Sequence, residues 1–282
     1  VPEADRDLWD LRMAVYAAMV DRMDQGIGRL IDQLERLGQR GNTLVMFLSD
    51  NGGCHLDPSR DTAGSNPDTP PGPRGGYWGY GPPWANVSDT PFRKFKQFVH
   101  EGGIATPLIC SWPRGLKAPG RINRQPGQVI DIMATVLEVT GATYPKARAG
   151  EAITPLDGRS FAPVLRGERR AEPPAMFWEH NGNQAVRVGD WKLVATHSAR
   201  DGWELYDLAA DRTELHDRAA DLPDRVGEMK EMYQRWSDEV GSCRTRKPNA
   251  GGAKGRIRNE NRPPASRNDE CVPPEACPGI PP

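Results

Sequence analysis

From Thr43 to Leu48 the chain runs apolar without alternation, then breaks into Ser49-Asp50-Asn51-Gly52-Gly53. A short unbroken apolar run is the pattern of a strand buried on both faces, as in a parallel sheet. In open α/β sheets the binding crevice lies beyond the carboxyl ends of such strands. Asp50 and Asn51 therefore fall where a site is expected. A carboxylate beside an amide offers two hard oxygen donors suited to Ca2+ or Mg2+, and glycines let backbone come close to an ion. An Asn-Gly turn that merely ends a strand explains the same letters.

The preceding segment agrees with an α/β architecture. Met19, Met23, Ile27, Leu30, Leu34 and Leu37 recur every three or four residues, which predicts one amphipathic helix. Gly38 stands where a left-handed residue ends such a helix. Helix, polar connector and buried strand make half of a βαβ unit, whose first strand is expected to precede Val1.

From Gly52 to Asn86 the sequence is rich in Gly, Pro, Asp and Ser, with Tyr77, Trp78, Tyr80 and Trp84 interspersed. A loop this long in a compact domain is usually functional or disordered. Its aromatics either wall a substrate cleft or pin the loop to the body of the protein. Asn86-Val87-Ser88 matches a glycosylation sequon, a triplet common by chance. In the next segment Arg93, Lys94 and Lys96 are interleaved with Phe92, Phe95 and Phe98, ahead of Glu101-Gly102-Gly103. A lysine near an oxygen-ligated cation can place a point charge on a phosphate- or sulfate-like oxyanion. A solvated basic edge with its Phe side chains in the core has the same composition.

The spacing of these pieces resembles the sulfatase family. Ser49-Asp50-Asn51-Gly52, a long loop, Lys96 five residues before Glu101-Gly102-Gly103, and Pro107 follow in its order. The likeness continues through Gly127 to Leu137, Leu156-Asp157-Gly158-Arg159-Ser160-Phe161, Ala185 to Leu193, and Glu204-Leu205-Tyr206-Asp207-Leu208. The resemblance is to formylglycine-dependent arylsulfatases of the alkaline-phosphatase-like superfamily. It implies a doubly wound, mainly parallel α/β sheet followed by a small antiparallel α+β subdomain. It also implies that Asp50 and Asn51 ligate Ca2+ (Mg2+ being possible), that Lys96 binds sulfate oxygens, and that His180 lines the cleft. Lys94 is out of register for the same task. The substrate implied is a small-molecule or glycan sulfate ester, and export to the periplasm or outside the cell is the family habit.

The nucleophile of that family arises from Cys-x-Pro-x-Arg, or Ser in place of Cys, by oxidation to formylglycine. Cys54 and Cys110 are mis-spaced for it, and Cys243, Cys271 and Cys277 lack the context. The family's paired aspartates are likewise missing. This chain is therefore expected to be the C-terminal portion of a sulfatase, inactive as it stands. Two alternatives remain open: a phosphate or phosphonate ester hydrolase of the same superfamily, and a non-catalytic fragment that binds anionic glycans.

With 37 Lys+Arg against 38 Asp+Glu over 282 residues, the chain shows no footprint of nucleic-acid binding. No apolar stretch approaches the roughly 18 residues of a spanning helix. The expected organisation is a catalytic part over 1–145, a Pro-rich linker over 146–174, an α+β subdomain over 175–242 and a Pro/Gly-rich disordered tail over 243–282. Within the subdomain, Gly189-Asp190 is a hairpin signal and Pro223 a helix start ahead of Val226, Met229 and Tyr233. Five cysteines leave at least one unpaired, and Cys271 and Cys277 form a possible small loop.

Overall fold

The computed structural model describes residues 2–57, 66, 68–117, 119–197 and 202–242. Cys243, Cys271, Cys277 and the expected tail lie outside them. Helix α1 (Arg6–Arg36) leads into strand β1 (Val45–Leu48), followed by α2 (Gly81–Ser88), the single turn α3 (Glu101–Ile104) and β2 (Leu108–Ser111). Next come α4 (Asp131–Thr140), the two-residue strands β3 (Ala147–Arg148) and β4 (Glu151–Ala152), and α5 (Ala162–Leu165). The chain then forms β5 (Met176–His180), β6 (Asn183–Val188), β7 (Trp191–Ala195), β8 (Trp203–Asp207) and α6 (Pro223–Val240).

Helix α1 ends where the apolar period ends, and Gly38 adopts the expected left-handed conformation at φ 67°. Strand β1 departs from expectation. Its only described neighbour is β2, which it pairs antiparallel with Phe47 opposite Ile109. These two side chains share a face and are 41% and 59% exposed. An unbroken apolar run reports that both faces want cover but says nothing of strand direction, so the parallel neighbours were an inference from pattern alone. Residues 146–174 also hold more structure than a plain connector, namely the β3–β4 hairpin and α5.

The best-packed part is the antiparallel sheet β5-β6-β7-β8 with α6 across one face. Sequence signals placed β6, β7, β8 and α6, whereas β5 was missed. Pro223 opens α6 and Gly241 closes it at φ 67°. Side chains alternate across a sheet. Val186, Leu193 and Leu205, in register across three strands, accordingly meet Val226, Met229 and Tyr233 of the helix. The opposite face carries Ala185, Val194 and Tyr206, packed against Val99. Lys192 and Glu204 point to that same second face, which seats the segment bearing Lys96.

Leu193 is fully buried at the centre of the helix-facing core. Leu193→Ala should lower unfolding free energy by about 2–5 kcal/mol in urea titration. Ile109→Ser, at an exposed position, should stay within about 0.5 kcal/mol.

Candidate active site

The site begins where β1 stops. Asn51 Nδ2 donates to Asp50 Oδ1, and Ser49 Oγ donates to the Asn51 carbonyl at 2.8 Å. Asn51 Oδ1 is shielded from water and has no hydrogen-bond partner among the described residues. An orphaned buried oxygen is costly unless something binds it. Asp50, by contrast, is exposed.

Gly52 and Gly53 then pass directly against the lysine segment. The Gly52 N–H donates to the Gly103 carbonyl at 3.0 Å, and the Lys96 N–H donates to the Gly53 carbonyl at 3.0 Å. A Cβ at Gly52 would lie 1.8 Å from the Gly102 oxygen, so no other residue fits. The Gly53 N–H is taken by both carboxylate oxygens of Asp89 at 2.9 Å. Backbone bonds thus tie the strand end to the lysine loop.

Lys96 is half-buried and has no carboxylate within ion-pair distance among the described residues. Its neighbours are committed. The Lys94 ammonium sits 4.9 Å above the Phe98 ring, and the Arg93 guanidinium donates to Tyr206 Oη at 2.9 Å and to the Glu214 carbonyl at 2.6 Å. Among the described residues neither Lys94 nor Lys96 pairs with a carboxylate, and only Lys94 has a ring contact. Lys94 and Gln97 both adopt positive φ, at 68° and 81°, an uncommon state for residues with a Cβ. The Gln97 carbonyl is held by Asn183 Nδ2 at 2.8 Å.

His180 ends β5 as an exposed side chain with Nε2 3.2 Å from Asn181 Nδ2. Among the described residues its ring makes no hydrogen bond or ion pair with Asp50, Asn51 or Lys96. Only the turn beside it, through Asn183, touches the lysine loop. The loop aromatics act mainly as pins. Tyr80 stacks on Tyr16 at 4.4 Å, Trp84 Nε1 donates to the Trp9 carbonyl at 3.0 Å, and Arg12 lies between Trp9 and Trp78.

His55 was not singled out by the sequence. Its ring packs on Phe95 at 4.5 Å, and its Nδ1 is buried without a partner among the described residues. Burial, followed by the nearby Lys96 charge, holds its imidazole below the usual histidine range despite the opposing pull of the Lys96 backbone. A histidine just past a site-bearing strand was the available signal. No three His, Cys, Asp or Glu side chains gather as a metal cluster among the described residues. Asp50 and Asn51 fit a hard cation in kind, as two of the roughly six to eight oxygens Ca2+ takes.

Known proteins resemble this chain in sequence and fold. The family model "Sulfatase" matches residues 2–142, half of the chain, and that for "N-sulphoglucosamine sulphohydrolase, C-terminal" matches residues 92–238. The chain belongs to the sulfatase family. An uncharacterized sulfatase of Schizosaccharomyces pombe is 34% identical over 244 residues, covering 81% of this chain and 44% of that protein. The arylsulfatase of Klebsiella aerogenes is 34% identical over 179 residues, 57% of this chain and 37% of its own length. The chain thus spans less than half the length of these sulfatases. Among solved structures, Ps i-CgsB superposes with a TM-score of 0.57 at 25% identity, covering 79% of this chain and 42% of its own. Ps i-CgsB has also been solved in complex with k-i-k-neocarrahexaose. No helix among the described residues is long and apolar enough to cross a membrane.

Beneath the lysine loop, Glu204 accepts from Tyr206 Oη at 2.8 Å and lies 3.1 Å from His100 Nε2. The His100 bond foremost, with Tyr206 and Arg93 adding to it, outweighs burial and holds the Glu204 carboxyl at about 2. A carboxyl depressed in the folded state adds stability above its ordinary value of 4.5 and loses it as pH falls towards about 2. Urea midpoints should therefore drop across that window, and Glu204→Gln should flatten the drop. The His55 imidazole, followed by NMR, should stay neutral to a pH below its ordinary 6.5.

Proposed function

We propose that Asp50, Asn51 and Lys96 are the metal- and sulfate-oxygen-binding part of a sulfuric ester hydrolase site, arylsulfatase type. The observation that carries this reading is Lys96: a half-buried ammonium with no carboxylate partner among the described residues. It is stapled by backbone bonds to a strand end whose Asn51 oxygen is also unpartnered. A cation left uncompensated in a cleft is matched by an anion, and in a sulfatase that anion is the sulfate ester. The Lys96 ammonium would face a non-bridging oxygen and stabilise charge that grows as the ester S–O bond breaks. The Asp50 carboxylate and Asn51 amide oxygen would hold Ca2+, which when bound supplies Lewis-acid polarisation of the sulfate. His180, on the neighbouring hairpin, would line the cleft from the subdomain side.

Two further parts belong to the same reading. The nucleophile, a formylglycine in the family the chain resembles, has no Cys-x-Pro-x-Arg among these 282 residues. A covalent route needs that group, so this chain by itself should not turn over sulfate esters. The larger, mainly parallel sheet is proposed on the bare apolar faces of Phe47 and Ile109, together with the 44% span of the yeast relative. A glycan sulfate is the favoured substrate class, in keeping with the neocarrahexaose complex of Ps i-CgsB.

The test is complementation. Co-expression with a sulfatase segment carrying Cys-x-Pro-x-Arg, and with an enzyme that makes formylglycine, should create turnover of a fluorogenic aryl sulfate absent from the chain alone. Lys96→Ala should then lower kcat/KM by about 10²–10³-fold. Turnover by the unaccompanied chain would refute the incomplete-site reading, and full activity of Lys96→Ala would refute the role of the lysine. Sulfated-glycan binding without turnover in the complemented complex would favour the non-catalytic alternative.

A further inference from the structure

Behind the lysine loop lies a group of charges that the proposed chemistry does not use. Lys192, Glu214 and Glu101 are 0%, 0% and 3% exposed. Lys192 Nζ hydrogen-bonds Glu101 Oε1 at 2.9 Å and lies 2.9 Å from Glu214 Oε1. The second contact lacks hydrogen-bond geometry and is purely ionic. The other Glu214 oxygen accepts the backbone N–H of Glu101 at 2.7 Å. Arg212, at the exposed rim, adds a contact to Glu101 Oε2 at 3.3 Å and balances the second carboxylate. Burial alone would raise the Glu101 pKa. Lys192 first, then Arg212 and Arg187, outweigh it and keep this carboxyl below its usual range.

Stability does not explain such an arrangement. Buried ion groups replaced by well-packed apolar residues are often neutral or stabilising. What an apolar plug cannot copy is direction. Glu214, itself at a positive φ of 57°, fixes the amide of Glu101. The next two residues are Gly102 and Gly103, whose backbone presses on Gly52 with no room for a Cβ. Gly103 bonds Gly52, and Gly53 bonds Lys96. A continuous path of short bonds therefore runs from the centre of the C-terminal sheet to the site.

We propose that Lys192, Glu101 and Glu214 are positioning residues that fix Lys96 beside Asp50 and Asn51, so that the C-terminal sheet sets the anion affinity of the site. This rests on the reading of Lys96 as the anion-binding lysine. The test uses the full chain and inorganic sulfate, with the Lys96 side-chain NMR signal assigned through Lys96→Ala. Sulfate should move that signal in the native chain. Glu214→Ala should raise the sulfate Kd by about tenfold while the chain stays folded. Glu214→Gln, which keeps an oxygen for the Glu101 amide, should restore Kd to within about twofold of native.

A residue with a purely structural role would shift the urea midpoint and leave the Kd of the folded chain alone, and that result overturns the proposal. If Glu214→Ala fails to fold, the triple variant Glu101→Leu/Lys192→Met/Glu214→Leu, which strands no buried charge and leaves only the exposed Arg212 unpaired, is read in the same way. Failure of both to fold marks the triad as structural and also counts against the proposal. If sulfate leaves Lys96 unmoved in the native chain, the reading of Lys96 falls first and this proposal with it.

Discussion

The arrangement at the strand end depends on a backbone-to-backbone contact that excludes side chains. A Cβ at Gly52 would lie 1.8 Å from the Gly102 oxygen, while one at Gly102 or Gly103 would strike the loop's own Lys94 or Phe98 carbonyl at 2.2 or 2.0 Å. None of the three has positive φ, so the requirement is space, not conformational freedom. The contact turns two distant pieces of sequence, 49–53 and 93–104, into one rigid unit. Asp50, Asn51 and Lys96 are brought onto one unit by main-chain contacts, to which the side chains behind Glu101 then add direction. Backbone hydrogen bonds near a site hold position better than long side chains, because fewer torsions intervene.

The second face of the C-terminal sheet is what that unit rests on. A sheet with a helix on one side usually turns a polar face to water on the other. Here the polar face is covered: Lys192, Glu204 and Tyr206 are capped by Val99, His100 and Glu101. The helix side binds by area, with Val186, Leu193 and Leu205 against α6. The loop side binds by direction, through ion pairs and hydrogen bonds that fix one orientation. The two faces thus do different work, one holding the subdomain together and the other setting the height of the loop.

That division explains what the sequence could tell. Helix α1, its Gly38 terminus, the Gly189-Asp190 turn and the Pro223 start are written in local periodicity and in residues with special torsions. They were legible for that reason. The direction of β1 was not, since pairing is a long-range fact and Phe47 reads the same in either sense. Lys192 shows the limit most clearly. In Trp191-Lys192-Leu193-Val194 a lysine beside alternating apolar residues looks like a solvated position, and only the partners Glu101 and Glu214, 91 and 22 residues away by number, reveal it as buried. His55 escaped similarly, because its meaning comes from Phe95 and Lys96 across the loop. The proposal of Asp50 and Asn51 rests on strand-end logic, and that of Lys96 on family spacing rather than composition.

Four cations within or facing the lysine loop have partners: Arg93 holds Tyr206 and the Glu214 carbonyl, Lys94 covers Phe98, Lys192 answers two carboxylates, and Arg212 pairs with Glu101. In the proposed reading each partnered cation is one fewer competitor for an anion at the strand end. Glu101 and Glu214 matter in the same sense: turned inward to Lys192, they are kept from pairing with Lys96 and quenching it. Among the described residues Lys96 has neither a carboxylate nor a ring partner, and Asn51 Oδ1 has no donor; in the proposed reading these are the groups left to meet an anion and a cation, on two segments held together by the close contact at Gly52.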